Sequence, residues 1–427
     1  MSNKLQPVRG THDILPDDFE KFHAVIEDAR QLATLYGFRE MATPIFEQTE
    51  VFSRSMGETS DVVSKEMFTF ETRGGESVTL RPEFTAGIAR AFISNGMQQH
   101  LPLKLFSTGP LFRYERPQKG RQRQFHQVNF EWLGDDSWMA DVEIILLAGH
   151  LLTHDCVLHI NTLGDKESRE KYREALVKYL TPFADKLSED SKRRLTENPL
   201  RILDSKDKSD QEILVNAPIM TNYLSQTAKE RFDHICNALQ GPITLSQRVV
   251  IDPTLVRGLD YYTDTVFEFV ANTGELGAQN TVLAGGRYDG LIEQMAGKPT
   301  PAIGFAAGIE RLLLLFKKKW CEYRIFKIFI LPEEISKEFV LTIAVAMRNI
   351  FYTHNLKPAV EIYWHGSMKK RMEKANKNNA DYVVIIPPDT LKSHNVFIKD
   401  MKTGIQKEFS VSDVIDEQKL KGIFNII

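Results

Sequence analysis

The most distinctive pattern of hydrophobic and polar positions in the chain is a pair of alternating segments on either side of a polar loop. The two segments are residues 111–114 and 125–128. The loop between them, residues 116–124, carries four basic side chains, with a proline near one end and a glycine near the middle. Strand-like alternation around a turn-rich loop predicts a β-hairpin.

The charged residues of this hairpin can be interpreted in two ways. The arginines could pair with glutamates of the same hairpin on a solvated edge, which is the commoner arrangement. Phe112 and Phe125, however, place aromatic faces among the arginines, as expected where a planar ring and a phosphate are held together. We therefore interpret the hairpin as part of a site for a charged ligand.

The chain before the hairpin mixes helix and strand patterns. Apolar residues at helical spacing predict a helix over 17–36, followed by Gly37. Strand patterns at 38–47, 62–70 and 77–80 and a helix pattern at 82–94 follow in that order. These elements predict a strand-rich domain with helices on one side.

The residue composition and pattern change after the hairpin. A helix over 141–154 and a strand over 157–163 are followed at residue 165 by charged, helix-favouring sequence with no strand pattern. The strand pattern resumes at Gln247 and is clear at 266–270. Residues 165–240 therefore read as a helical insertion.

A separate pattern begins after Trp320. Strand segments at 325–331, 360–363, 382–386 and 396–399 alternate with helical segments at 336–352, 367–378 and 412–424. This alternation predicts a small α/β domain with a mostly parallel sheet. Lys369, Lys370 and Arg371 on its second helix could contact phosphates or could form a solvated helix face.

Composition and charge exclude several classes of protein. No apolar run reaches the roughly 20 residues of a membrane span, and the N-terminus has no signal-peptide core, so we expect a cytoplasmic protein with no membrane partner. The net charge of -3 argues against a globally basic nucleic-acid binder. Cys156, Cys236 and Cys321 form no Cys-x-x-Cys pair.

Two further patterns suggest ligand sites that we do not expect. His150, His154 and His159 superficially resemble a metal cluster, but the His-Glu-x-x-His spacing is absent and we predict no protein-bound metal. The glycine clusters at 284–290 and 304–308 match neither the phosphate loop nor the dinucleotide fingerprint. If a nucleotide is bound, arginines must neutralise its phosphates.

Taken together, these motifs resemble the class II aminoacyl-tRNA synthetases, and within them the histidyl-tRNA synthetase family, over essentially the whole chain. Residues 7–13 resemble that family's N-terminus, and residues 257–262 (Arg-Gly-Leu-Asp-Tyr-Tyr) and 284–291 resemble its two histidine-specific signatures. Class II motifs 1, 2 and 3 are matched by the strand around Pro44, residues 112–131 and residues 304–312.

The resemblance implies the domain organisation. We expect an α+β catalytic domain over 1–325, with a mainly antiparallel sheet flanked by helices and the insertion at 165–240. The α/β domain over 326–427 resembles the anticodon-binding domain of this synthetase group. Because motif 1 is an interface element, the resemblance also implies a homodimer.

The resemblance also implies a reaction and its residues. The family joins L-histidine to ATP and then to tRNA(His), with Mg²⁺ accompanying ATP and no organic cofactor. Arg113 and Arg257 would act in catalysis. The ATP site would comprise Arg113, Arg121, Phe125 and Arg311. The histidine site would comprise Glu83, Thr85, Gln127, Glu131, Tyr261 and Tyr262. Arg116 and Gln118 would contact the acceptor end of tRNA.

One departure and one rival interpretation accompany these expectations. Residues 128–130 (Val-Asn-Phe) are bulkier than the small residues expected there, which predicts altered histidine affinity more than altered specificity. The rival is an inactive synthetase-like regulatory subunit of histidine biosynthesis. Such subunits typically lack the Arg-Gly-Leu-Asp-Tyr-Tyr signature or the C-terminal domain, and this sequence has both.

Overall fold

The computed structural model describes residues 5–57, 60, 62–118, 120–152, 156–241, 245–272, 280–315, 326–353 and 358–424. The chain forms two compact units, Met1–Glu322 and Tyr323–Ile427. Each unit has its own hydrophobic core. Among the described residues, no helix combines the length and the apolar composition that crossing a membrane requires.

The N-terminal unit is built on two sheets. Its strands are β1 (Arg39–Glu40), β2 (Phe46–Gln48), β3 (Phe68–Glu71), β4 (Ser77–Leu80), β5 (Leu103–Phe112), β6 (Gln124–Leu133), β7 (Cys156–Thr162), β8 (Arg248–Ile251), β9 (Thr263–Ala271), β10 (Thr281–Arg287) and β11 (Ala302–Gly308). The large sheet has the order β1-β5-β6-β11-β10-β9-β7-β8, and the small sheet has the order β2-β4-β3. In the large sheet the β1–β5 and β7–β8 pairs are parallel and the other pairs are antiparallel, which confirms the predicted sheet type.

Helices flank these sheets and form the insertion. They are α1 (Pro16–Leu35), α2 (Thr49–Met56), α3 (Thr85–Ser94), α4 (Trp138–Leu151), α5 (Lys166–Leu180), α6 (Glu189–Glu197), α7 (Lys208–Leu214), α8 (Gln226–Gln240), α9 (Leu291–Gln294) and α10 (Ile309–Leu315). Residues 166–240, all of which the structure describes, contain helices and short helical turns but no strand, as their charged texture predicts.

Two strand predictions in the first hundred residues are wrong in detail. The predicted strand at 38–47 is two strands in different sheets, because β1 pairs with β5 whereas β2 pairs with β4. Pro44 lies between them and cannot donate a ladder hydrogen bond. The start of the predicted strand at 62–70 is a helical turn, Val62–Glu66, since Ser60 accepts hydrogen bonds from the backbone N–H groups of Val63 and Ser64.

Strand β6 separates the core from the opposite face of the sheet. Phe130 is fully buried and packs against the rings of Phe38, Phe106 and Phe305, with centroid distances of 5.3, 4.9 and 4.8 Å. Because side chains alternate along a strand, the residues on either side of Phe130 face away from this aromatic cluster. The polar residues of β6 are thereby held on a rigid central strand.

A buried ion pair fixes β10 against α4. The side chains of Arg287 and Asp141 are both 0% exposed, and Arg287 Nη2 lies 2.5 Å from Asp141 Oδ2. Arg231 of α8 donates to the same carboxylate oxygen at 2.6 Å. The carboxylates of Asp141 and Asp289 raise the pKa of Arg287 against the opposing effect of burial. Arg287, in the second histidine-specific signature, therefore has a structural role.

The C-terminal unit has one mixed sheet. Its elements are β12 (Lys327–Pro332), α11 (Lys337–Thr353), β13 (Ala359–Ile362), α12 (Met368–Lys377), β14 (Tyr382–Ile386), α13 (Thr390–Ser393), β15 (Asn395–Asp400), β16 (Gln406–Ser410), α14 (Val411–Val414) and α15 (Glu417–Ile423). The strand order is β13-β12-β14-β15-β16. This arrangement confirms the small α/β domain.

The prediction that this second sheet is mostly parallel is wrong. The β12–β13 and β12–β14 pairs are parallel, whereas the β14–β15 and β15–β16 pairs are antiparallel. The missed strand, β16, is polar and exposed over its first three residues, so it lacks the apolar alternation of a core strand. The Asp400 carboxylate accepts hydrogen bonds from the N–H groups of Lys402 and Thr403, which stabilises the turn that reverses the chain.

Candidate active site

An open cleft in the N-terminal unit brings most of the predicted site residues together. Its volume is about 640 Å³. The predicted residues that line it are Glu83, Thr85, Arg113, Arg121, Phe125, Gln127, Glu131, Arg257, Tyr261, Tyr262 and Arg311. Arg116 and Gln118 do not line the cleft and lie exposed on the loop between β5 and β6.

Strand β6 forms the floor of this cleft. Phe125, Gln127, Asn129 and Glu131 line the cleft at every second position, whereas Phe130 faces the core. The period of two along a strand accounts for this division. The predicted hairpin is confirmed, since Phe112 of β5 pairs with Gln124 of β6.

The carboxylate of Glu131 is the most deeply buried acidic group of the floor. Thr85 Oγ1 and Asn129 Nδ2 donate to Glu131 Oε1 at 2.5 and 3.0 Å, and the hydroxyl of Tyr288 donates to Oε2. Burial raises the pKa of Glu131 to about 7, although these three donors act in the opposite direction. The group therefore titrates near neutral pH before a ligand binds.

Glycines make room for this carboxylate. A Cβ atom on Gly304 of β11 would lie 1.7 Å from Glu131 Oε2 and 2.5 Å from the Phe130 carbonyl oxygen. A Cβ atom on Gly285 of β10 would lie 2.2 Å from the Gly304 carbonyl oxygen. Both contacts are impossible, so these glycines allow close approach of neighbouring strands.

A second buried carboxylate lies at the start of α3. Glu83 accepts hydrogen bonds from the N–H groups of Thr85 and Ala86 at 2.7 and 2.6 Å. Burial raises its pKa, against these donors and the nearby charge of Arg113. The first turn of α3 and the Glu83 side chain are thus fixed together at the edge of the cleft.

Two adjacent tyrosines line the cleft together with Glu131. The rings of Tyr261 and Tyr262 lie 4.8 Å apart and are almost fully buried. Burial raises the pKa of Tyr261 and raises that of Tyr262 to about 12. Both phenols are therefore neutral at physiological pH and able to donate a hydrogen bond.

The helical insertion holds the loop that carries these tyrosines. Asn198 Nδ2 donates to Asp260 Oδ1 at 2.7 Å, and Arg201 Nη1 donates to the Gly258 carbonyl oxygen. Both acceptors belong to the Arg-Gly-Leu-Asp-Tyr-Tyr segment. The insertion thereby helps to fix the positions of Arg257 and Tyr262.

Arginines line the same cleft. Arg257 Nη1 donates to Glu268 Oε2 at 2.8 Å, and Arg113 Nε donates to the Pro82 carbonyl oxygen at 3.0 Å. The guanidinium carbon of Arg113 lies 5.4 Å from the centroid of the Phe125 ring. Each contact uses part of the guanidinium group and orients the rest.

Two more arginines complete this positive region. Arg121 Nη1 donates to Glu115 Oε2 at 2.6 Å. Arg311 Nε donates to the Gly120 carbonyl oxygen at 3.2 Å, and burial, with Arg121 and Arg113 nearby, lowers the pKa of Arg311 to about 10. Arg311 remains a cation at neutral pH. A cluster of like charges in one cleft is suited to a ligand with several negative charges.

The histidines that resemble a metal cluster make other contacts. His150 Nδ1 lies 2.6 Å from the hydroxyl of Tyr36, and His159 Nδ1 lies 3.2 Å from Asp252 Oδ2. His154 and Cys321 lie outside the described residues. Within the described ranges, no three His, Cys, Asp or Glu side chains are grouped so that they could hold a metal ion.

Comparison with known proteins identifies the family. A model of the family described as histidyl-tRNA synthetase matches residues 10–312. The chain belongs to the histidyl-tRNA synthetase family. A second model, described as an anticodon-binding domain, matches residues 328–420.

Relatives of this synthetase family match nearly the whole chain. A protein of Rickettsia bellii named histidine–tRNA ligase is 48% identical over 94% of this chain and 95% of its own length. The apo histidyl-tRNA synthetase of S. aureus has a TM-score of 0.79 and is 32% identical, over 97% of this chain and 100% of that chain. A Bacillus halodurans structure titled ATP phosphoribosyltransferase regulatory subunit/histidyl-tRNA synthetase shares the fold, with 21% identity, a TM-score of 0.61 and coverage of 90% and 98%.

Sequence reasoning missed three partners of the predicted residues. Tyr288 donates to Glu131, Glu268 pairs with Arg257, and Glu115 pairs with Arg121. Tyr288 lies in the second signature after a pair of glycines, and Glu268 is a charged residue within the apolar run 266–270. These signals mark unusual positions, but neither identifies the partner.

The raised pKa of Glu131 predicts a pH-dependent stability. Between the ordinary pKa of 4.5 and the folded value of about 7, the unfolded chain ionises Glu131 while the folded chain keeps it protonated, so stability falls as pH rises. Glu131→Gln removes this destabilisation, which reaches about 3 kcal/mol once the carboxylate is fully ionised in the folded chain. We expect the melting temperature of the variant relative to wild type to rise between pH 5 and pH 8.

Thermal unfolding of the unliganded proteins at both pH values measures this difference. Glu71→Gln, an exposed residue of β3, is the matched control and should differ from wild type equally at the two pH values. A difference for Glu131→Gln that does not change with pH would contradict the assignment.

Proposed function

We propose that this chain is a histidine–tRNA ligase. It activates L-histidine with ATP to form histidyl-adenylate and pyrophosphate, and then transfers histidine to the 3′ end of tRNA(His). The observation that carries the proposal is a single cleft in which a buried carboxylate with neutral phenols beside it adjoins a cluster of arginines. Membership of the histidyl-tRNA synthetase family supports the same reaction.

In the first half-reaction a carboxylate oxygen of histidine attacks the α-phosphorus of ATP. The new oxygen–phosphorus bond forms as the bond to the bridging oxygen breaks, and that electron pair leaves with pyrophosphate. Negative charge grows on the phosphate oxygens, so positioned cations supply most of the catalysis. We assign this role to Arg113 and Arg257, whose guanidinium groups can each donate to two oxygens at once.

The remaining cationic and aromatic residues suit ATP. Phe125 and Arg311 would hold the adenine between an aromatic face and a guanidinium plane. Arg121 would bind the terminal phosphates. It lies on the loop between β5 and β6, and Glu115 already orients its guanidinium group. In the second half-reaction a terminal ribose hydroxyl of tRNA attacks the histidyl carbonyl carbon, and AMP leaves.

Mg²⁺ is expected to enter with ATP. Carboxylate oxygens suit this hard cation, and Glu115 and Glu310 both line the cleft. Both already accept hydrogen bonds, Glu115 from Arg121 and Glu310 from the backbone N–H of His126. These acidic groups fit an ion that the phosphates bring, and we assign no protein ligand to it.

The polar floor of the cleft suits histidine. Glu131 and Tyr262 would bond the imidazole nitrogens, and Glu83, Thr85 and Gln127 would bind the α-amino group, with Tyr261 packed beside them. An analogue without a ring N–H would leave buried groups unpaired, which can produce a rejection of order 10⁴.

Two further partners complete the proposal. We expect a homodimer, since Ile45 and Phe46 beside motif 1 are 45% and 56% exposed. A monomer in sedimentation at micromolar concentration would contradict this expectation.

The C-terminal domain offers candidates for contact with tRNA phosphates. Arg371 donates to the carbonyl oxygens of Pro332 and Tyr363, which leaves the exposed Lys369 and Lys370 as the candidates.

The regulatory-subunit alternative is less well supported, because this chain has both the Arg-Gly-Leu-Asp-Tyr-Tyr signature and a C-terminal domain.

Histidine-dependent exchange of labelled pyrophosphate into ATP, without tRNA, tests the activation step. Arg257→Ala should lower the exchange rate by about 10²–10³, because it removes a donor that acts on growing charge. Arg257→Lys should recover part of this loss, since it keeps the charge but not the fork. Arg248→Ala, an exposed arginine of β8, is the control and should exchange as wild type does. Well-folded wild-type protein without exchange would refute the proposal and favour the regulatory alternative.

The exposed loop predicts a separate effect on tRNA. We infer that Arg116 and Gln118 contact the acceptor end, because both side chains are exposed beside the cleft while Arg121 of the same loop is engaged inside it. The double alanine variant should lower kcat/KM for tRNA in the charging reaction by about tenfold or more. Arg73→Ala, exposed on the turn between β3 and β4, is the control. Charging retained by the double variant would rule out this contact.

A further inference from the structure

Asn129 is a buried polar residue of the cleft to which the proposed function assigns no role. It lies on β6 between Gln127 and Glu131, lines the cleft and is 2% exposed. Its neighbours Val128 and Phe130 face the core, so the three bulky residues at 128–130 do not act alike. Only the amide of Asn129 enters the region where histidine is expected to bind.

The hydrogen bonds of Asn129 fix the orientation of its amide. Nδ2 donates to Glu131 Oε1 at 3.0 Å and to the Phe305 carbonyl oxygen at 3.3 Å. A flipped amide would turn its oxygen towards these two oxygens, and the Phe305 carbonyl has no hydrogen to donate. Nδ2 therefore points to Glu131, and Oδ1 is the acceptor that remains.

Oδ1 of Asn129 has no hydrogen-bond partner among the described residues and is shielded from solvent. An unpaired buried acceptor has lost its hydrogen bond to water and carries an energetic cost. A ligand that brings a donor into the cleft would remove this cost. Bound histidine has two kinds of nitrogen donor, the α-ammonium group and the ring N–H, and the amide of Asn129 is bonded to the carboxylate at the ring end of the proposed site.

We propose that Asn129 is a specificity-determining residue for histidine. Its Oδ1 accepts a hydrogen bond from the ring N–H that Glu131 also faces, while its Nδ2 holds the Glu131 carboxylate in line. Tyr262 donates to the other ring nitrogen, so a neutral imidazole satisfies all three groups. This inference rests on the proposed function, because it presumes that histidine occupies the cleft.

Calorimetric titration tests the proposal with histidine and with thiazolylalanine, an analogue whose ring has no N–H. The measured quantity is the ratio of the two dissociation constants within each protein, which does not depend on the folded fraction. Asn129→Ala should reduce the preference for histidine about tenfold, as expected for the loss of one hydrogen bond.

The control is Ser107→Ala, which removes a buried polar side chain directly opposite Asn129 on β5. Ser107 donates to the Met41 carbonyl oxygen and does not line the cleft, so the preference for histidine should not change. Equal weakening of both ligands in Asn129→Ala, which leaves the ratio unchanged, would show that the residue only supports the fold. Dissociation constants that are unchanged for both ligands would show that Oδ1 is not used. Either result overturns the proposal.

The same proteins separate this inference from the proposed function. Histidine binding with the expected change in ratio, but without pyrophosphate exchange in wild type, would refute the ligase activity and leave the role of Asn129 intact. Exchange without a change in ratio would do the reverse. Wild-type protein that binds neither ligand would overturn both.

Discussion

The energetic cost of burying the Glu131 carboxylate determines the arrangement of much of the active site. The group is 1% exposed, and it is tolerated because Thr85, Asn129 and Tyr288 donate hydrogen bonds to it. Those donors come from α3, from β6 itself and from the segment that follows β10. Three separate elements must therefore be held in fixed register before the carboxylate can occupy this position.

Strand packing supplies that register. β11 lies beside β6 and β10 beside β11, and the glycines at 304 and 285 allow the strands to approach without a clash with the carboxylate or with each other. The buried Arg287–Asp141 pair then anchors the end of β10 one residue before Tyr288. The histidine-specific signatures thus combine residues that face the cleft with residues that only position them.

The sequence contained enough information to predict the elements that depend on local pattern. Alternation predicted the β5–β6 hairpin, and the charged texture predicted the helical insertion. It could not predict contacts between distant positions, such as Tyr288 with Glu131, which are 157 residues apart. It also missed β16, because a polar edge strand has no buried face to produce alternation. The roles of the cleft residues came from resemblance to a family, since neither charge nor spacing distinguishes an arginine that binds phosphate from one that pairs with a glutamate.

We propose that the ionised carboxylate of Glu131 is the group that selects histidine. The most direct test is kcat/KM for histidine in pyrophosphate exchange at pH 8, where the carboxylate is ionised, for wild type and Glu131→Gln. We predict a fall of about 10², because a hydrogen bond to a charged group is lost, with KM for ATP changed by less than about threefold. A variant that kept the wild-type kcat/KM for histidine would show that Glu131 does not select the substrate.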